Sequence, residues 1–180
     1  MRIKDEKLTA GLVLTWKCNL KCIHCYPYLP KNNEPTLMEV KSKINQFKEE
    51  GYIFLNITGG EPLMREEFFD IIKYTNNNNF ALLLSTNGTL ITKEFIKKIK
   101  RFSIFQIQVS LFGATKKMHE DITKVKGSFE KAIGAIRLLK KEGLRVVIKT
   151  TKMPKNLKEI SKIKVLAKEL GTDYILSPLR

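Results

Sequence analysis

Cysteine is scarce in this chain and unevenly placed. Only three occur in 180 residues, all between Cys18 and Cys25, so no disulfide framework staples the fold. Thiols bunched in this way suit a metal site in a reducing compartment. Long apolar runs are also missing, and nothing approaches the ~20 residues needed to cross a bilayer. Met1–Lys7 carries charge with no apolar stretch behind it, unlike a secretory signal, so the expected location is the cytoplasm. Acidic residues are few, 18 against 33 lysines and arginines, for a net charge of +15. That balance would attract nucleic acid, an acidic peptide or a phosphorylated substrate. The basic residues fall on predicted helices, as in Lys97-Lys98-Ile99-Lys100-Arg101, and no aromatics interleave with them. Solvated helix faces are therefore the preferred reading, and nucleic acid is not favoured.

What is present is alternation. Apolar runs at Leu12–Trp16, Ile53–Ile57, Ala81–Leu84, Ile104–Val109, Arg145–Ile148 and Tyr174–Leu176 have the length and aliphatic content of buried strands. Between them, helix spacing joins Leu37, Val40, Ile44 and Phe47, then Phe129, Ile133, Ile136 and Leu139, then Leu157, Ile160, Ile163 and Leu166. Thr36 and Glu39 form a capping box, and Gly51, Gly143 and Gly171 stand where left-handed helix stops belong. Asn76–Asn79, the one low-complexity run, reads as a polar turn. The length suits one domain, residues 1–180, and the pattern predicts an α/β fold with a parallel sheet, open or curved into a barrel or partial barrel.

On this map the conspicuous residues gather at strand C-termini: Cys18 after the first strand, Gly59-Gly60-Glu61-Pro62 after the second, Ser85 to Gly88 at the third, Ser110 at the fourth, and Lys149-Thr150 at the fifth. That edge is where parallel α/β folds bind ligands. Cys18, Cys22 and Cys25, at spacings x3 and x2, offer three thiolates to an iron–sulfur cluster. Clusters used only for electron transfer ordinarily take four cysteines, so one iron would stay open to a small molecule. A structural zinc site completed by His24 or His119 is the alternative, although zinc usually draws on two separated ligand pairs. His24, directly before Cys25, fits better as a neighbour of the cluster or its cofactor. Redox-inert buried cysteines are a third possibility, disfavoured by their position in a polar loop.

Cys18-x3-Cys22-x2-Cys25 followed by Gly59-Gly60-Glu61-Pro62 closely resembles the radical S-adenosylmethionine (radical SAM) enzymes over nearly the whole chain. Val109-Ser110-Leu111-Phe112-Gly113-Ala114-Thr115, His119-Glu120-Asp121-Ile122-Thr123 and Gly127-Ser128-Phe129 resemble the SPASM-type branch that modifies peptides and proteins, often with an added cysteine-rich C-terminal domain. The resemblance implies a partial (β/α)6 barrel with a 4Fe-4S cluster at its mouth, held by Cys18, Cys22 and Cys25. S-adenosyl-L-methionine would chelate the open iron and be cleaved reductively to a 5′-deoxyadenosyl radical that abstracts hydrogen from a peptide or protein. It further implies an electron donor such as a flavodoxin or ferredoxin. It places Gly59-Gly60-Glu61 against the methionyl amino group and Ser110 against the ribose or carboxylate. Ser85 and Asn87 line the same cavity on this reading, and Tyr26 either flanks the adenine or joins the core. Glycine pairs and strand-end serines also serve as ordinary turns and caps. The chain stops after the sixth strand, so the C-terminal helix and any auxiliary-cluster domain are expected to be absent. An RNA or cofactor-precursor substrate, and a non-enzymatic zinc or cluster protein, are the competing functions.

Overall fold

The computed structural model describes residues 8–25 and 34–178. Six strands form one sheet in the order β1-β2-β3-β4-β5-β6, every neighbouring pair parallel: β1 Thr9–Val13, β2 Phe54–Thr58, β3 Ala81–Thr86, β4 Ile104–Ser110, β5 Val146–Lys152 and β6 Asp173–Pro178. Each crossover carries a helix or more: α1 Leu37–Glu49, α2 Phe68–Asn77, α3 Lys93–Ile99, α4 Lys116–Thr123, α5 Ser128–Lys141 and α6 Ile160–Glu169. Strands laid down in chain order, each beside its predecessor, build the wall of an incomplete barrel.

The pleat divides the sheet chemically. Leu55, Ile57, Leu82, Leu84, Ile107, Val109 and Ile148 are wholly buried and pack against the helices. On the other face a row of polar side chains is linked laterally: Ser85 lies within hydrogen-bond distance of Asn56 Oδ1 (3.0 Å) and Gln108 Oε1 (3.1 Å), and Lys149 Nζ donates to the same Gln108 oxygen at 3.0 Å.

The predicted punctuation is present. The Thr36–Glu39 capping box starts α1, and Gly51, Gly143 and Gly171 have φ of +81°, +76° and +64°. Three expectations are corrected. β1 runs Thr9–Val13, three residues earlier than the apolar run Leu12–Trp16, because Thr9 to Val13 pair with Phe54 to Thr58 while the chain beyond Leu14 bends into the cysteine loop. β5 continues to Lys152 through its pairing with β6, so Lys149 and Thr150 lie inside the strand and not at its end. Leu157 is exposed in a 3-10 turn, Pro154–Glu159, and α6 begins only at Ile160. No helix among the described residues is long and apolar enough to cross a membrane.

Candidate functional site

The loop after β1 carries all three thiols over the C-terminal edge of the sheet. Cys18, Cys22 and Cys25 line one cavity of about 190 Å³ with Gly59, Gly60, Ser85, Asn87, Ser110, Phe112, Lys149 and Thr151. Each of these comes from the β1 loop or from the C-terminal half or end of a strand, so parallel topology alone brings them together. Tyr26 lies outside the described residues.

The cysteine loop is anchored in its middle by α4. Backbone N–H groups of Lys21 and Ile23, on either side of Cys22, donate to the carbonyls of Thr123 (3.0 Å) and Ile122 (2.9 Å). Those carbonyls belong to the last turn of α4, where helix geometry leaves acceptors unused. The stretch His119 to Ser128 shapes this helix end: Glu120 accepts from the Gly127 N–H at 2.8 Å, and the Thr123 and Ser128 hydroxyls pair at 2.7 Å.

Gly59 and Gly60 press against the start of the same loop. A Cβ on Gly59 would stand 2.7 Å from the Thr15 carbonyl oxygen, and one on Gly60 would meet the carbonyls of Trp16 and Lys17. The approach is used, because Gly60 N donates to Thr15 O (2.7 Å) and Glu61 N to Lys17 O (2.8 Å). Glu61 is fully buried. Its carboxylate accepts from Thr86 Oγ1 at 2.7 Å, Asn87 N at 2.7 Å and Leu63 N at 3.2 Å, so it is a strut between the glycine turn and the end of β3. Burial raises its pKa, and the three donors oppose that shift. Asn87 extends the strut, donating from Nδ2 to Asn19 Oδ1 at 2.8 Å and lying 4.0 Å from Cys18 Sγ.

The donor chemistry fits an iron–sulfur cluster. Burial raises the pKa of Cys18 and pushes the Cys22 thiol up to about 12, and the neighbouring thiols add to both shifts. Without a cation these thiols would stay protonated, and a cluster bound among them would supply the positive charge that lets them ionise. Among the described residues no three potential ligands, Cys18, Cys22 and Cys25 included, are grouped about a single metal ion. His119 is committed elsewhere: it is buried, stacks on Phe112, and its Nδ1 accepts the Phe112 N–H at 3.2 Å. His24 lines the cavity edge-on to Phe112, with a buried Nδ1 that has no protein partner among the described residues. An orphaned buried polar atom calls for a ligand.

Phe112, quoted in the sequence only as part of a motif, and Thr151 were not singled out there as lining residues. Each continues the two-residue alternation of a lining side chain, Ser110 to Phe112 and Lys149 to Thr151, and that period was the available signal. Arg65 was also missed, and it has no periodic signature.

Comparison with known proteins agrees with this geometry. A profile described as the radical SAM superfamily matches residues 12–167. An AdoMet-dependent heme synthase of Methanosarcina barkeri is 36% identical over 173 residues, covering 94% of this chain and 48% of its own length. Mycofactocin maturase MftC of Mycolicibacterium smegmatis is 29% identical over 185 residues, covering 98% and 46% respectively. The crystal structure of Streptococcus suis SuiB bound to S-adenosylmethionine superposes with a TM-score of 0.80 at 17% identity, over 96% of this chain and 39% of that one. The chain thus spans about half the length of the curated relatives it matches.

Proposed function

The chain belongs to the radical SAM superfamily, whose cofactors are a 4Fe-4S cluster and S-adenosylmethionine, and from that premise we propose that it is the core of an enzyme that abstracts hydrogen from a peptide or protein. The observation that carries this reading is the gathering of Cys18, Cys22 and Cys25 in one cavity with the glycine turn and the polar ends of β3 and β4. In it, Cys18, Cys22 and Cys25 would hold the cluster, and Gly59, Gly60, Ser85, Asn87 and Ser110 would surround the cofactor, with Glu61 bracing the glycine turn from behind. When bound, the cluster and S-adenosylmethionine together supply an electron, a cleavable carbon–sulfur bond and a 5′-deoxyadenosyl radical.

The chain's own residues do the rest. Leu20 and Phe112 give the cavity apolar walls that keep water from a reactive species. Asn87 and Glu61 lock the end of β3 to the cysteine loop, so cluster and cofactor are held in one rigid frame. Lys149, on the cavity wall and steadied by Gln108, offers an ammonium donor suited to the carbonyls of a peptide. Three thiols kept free as ligands fit a reducing compartment such as the cytoplasm.

The peptide reading is supported by the likeness to a mycofactocin maturase and to SuiB, which has been solved bound to its precursor peptide. The higher identity to the heme synthase, 36% against 29%, favours a second reading in which the substrate is a heme precursor. Anaerobically reconstituted protein with S-adenosylmethionine and dithionite separates the two. Formation of 5′-deoxyadenosine stimulated by members of a peptide library is the expected result. Stimulation by an iron porphyrin alone would replace the peptide reading, and stimulation by neither, with an intact cluster, would overturn both.

A further inference from the structure

All three thiols ride on one long connection, from Leu14 at the end of β1 to Thr36 at the cap of α1. A loop of that length holds three ligands in register only if its two ends are fixed, because every added residue enlarges the set of conformations to be suppressed. One buried side chain reaches both ends. Arg65, whose side chain is only 6% exposed, donates from Nη1 to the Leu14 carbonyl at 3.2 Å and to the Pro35 carbonyl at 2.8 Å. Glu67 aims the guanidinium from behind, with Oε2 2.8 Å from Nε and Oε1 accepting from Nη2 at 3.3 Å. A second bridge spans the same ends, since Thr15 Oγ1 donates to the Glu34 carboxylate, whose other oxygen lies 3.9 Å from Arg65 Nη1. That hydrogen bond holds Glu34 below the usual carboxylate range, so it stays ionised.

We propose that Arg65, with the Thr15–Glu34 bridge as its second stitch, is a positioning residue that closes the ends of the cysteine loop and so sets the geometry of the cluster. The inference rests on the reading that these cysteines hold a cluster, and goes beyond it by assigning a function to a residue outside the cavity. The side-chain chemistry is specific. A guanidinium is a planar fork of five donors and can serve two carbonyls and a carboxylate together, whereas an ammonium on a flexible stem is a single point that cannot span them. Its place in the chain is equally specific. Arg65 follows the 3-10 turn Pro62–Met64, which Glu61 caps, so the segment from Gly60 to Arg65 grips the loop at Thr15, Lys17, Leu14 and Pro35 in succession.

The test compares wild type, Arg65→Lys and Glu34→Ala after anaerobic reconstitution. It measures how fast an iron chelator strips the cluster, the low-temperature EPR spectrum of the reduced protein, and the melting of the cluster-free chain. Arg65→Lys should lose iron about tenfold faster with altered g-values, as changes behind a metal's ligands commonly do. Glu34→Ala should lose it roughly two- to fivefold faster. A merely structural arginine would lower the melting temperature and leave the stripping rate and spectrum of the folded protein unchanged, and that result would overturn the proposal. If Arg65→Lys fails to fold, the half-exposed Glu34 decides alone, and a wild-type stripping rate in Glu34→Ala would overturn it. A wild-type chain that binds no iron would instead remove the functional reading on which the proposal stands.

Discussion

The two faces of the sheet are built from the same strands and do opposite work. Towards the helices the row Leu84, Ile107 and Ile148 is completely buried and apolar, while one residue along, Ser85, Gln108 and Lys149 form a hydrogen-bonded polar row. A pleat with a period of two lets one strand serve both purposes. Stability is concentrated on the helix side, and the inner face and its rim are left free for chemistry.

Substitutions on the two faces should therefore differ sharply. Ile107→Ala is expected to cost about 2–5 kcal/mol in urea unfolding, as lost core volume does. Ser85→Ala should cost under about 1 kcal/mol. Comparable losses at both positions would erase the distinction between the faces.

Acid sharpens the contrast, because a histidine is buried beneath the inner rim. Burial lowers the pKa of His119 to about 4. The unfolded chain takes up this proton near pH 6.5 and the native one only near 4, so stability is full above 6.5 and is lost as pH falls between those values, by roughly 3 kcal/mol. Glu61 has a raised pKa and opposes this slope near its own titration. The difference between wild type and His119→Gln, followed by urea unfolding at each pH, isolates the histidine. A pH-independent difference would contradict its burial as the neutral form.

Glycines at the rim and on the outer helices give the next comparison. Gly60→Ala drives a Cβ into the cysteine loop's backbone and should cost about 1–3 kcal/mol along with iron retention. Gly134, in α5, has nothing within 4 Å of an added Cβ, so Gly134→Ala should stabilise by about 0.5–1 kcal/mol. Melting temperatures that moved in the same direction would break this contrast.

Much of this was legible in the sequence. Apolar runs marked all six strands, and the cysteine spacing with the glycine turn marked the site, because each is a local pattern. What escaped depends on contacts between distant segments. The bend at Leu14 follows from pairing with β2, and no apolar stripe was read for α2, α3 or α4, although α2 buries Phe68, Ile71, Ile72 and Thr75 along one face. Arg65 looks like any charged residue until the fold brings Leu14 and Pro35 to its two sides. The family resemblance implied a place for Gly59 and Gly60 beside the cofactor. The structure also gives them a mechanical reason, the backbone of Thr15 and Lys17 passing where side chains would sit.

The most direct test of the central claim is the yield of 5′-deoxyadenosine from S-adenosylmethionine under anaerobic reduction, measured for wild type and for Cys18→Ala, Cys22→Ala and Cys25→Ala. The account predicts product from wild type carrying about four irons per chain and none from any of the three variants. Product that survives loss of a cysteine, or its absence from wild type with an intact cluster, would contradict the claim that these thiols hold the reactive centre.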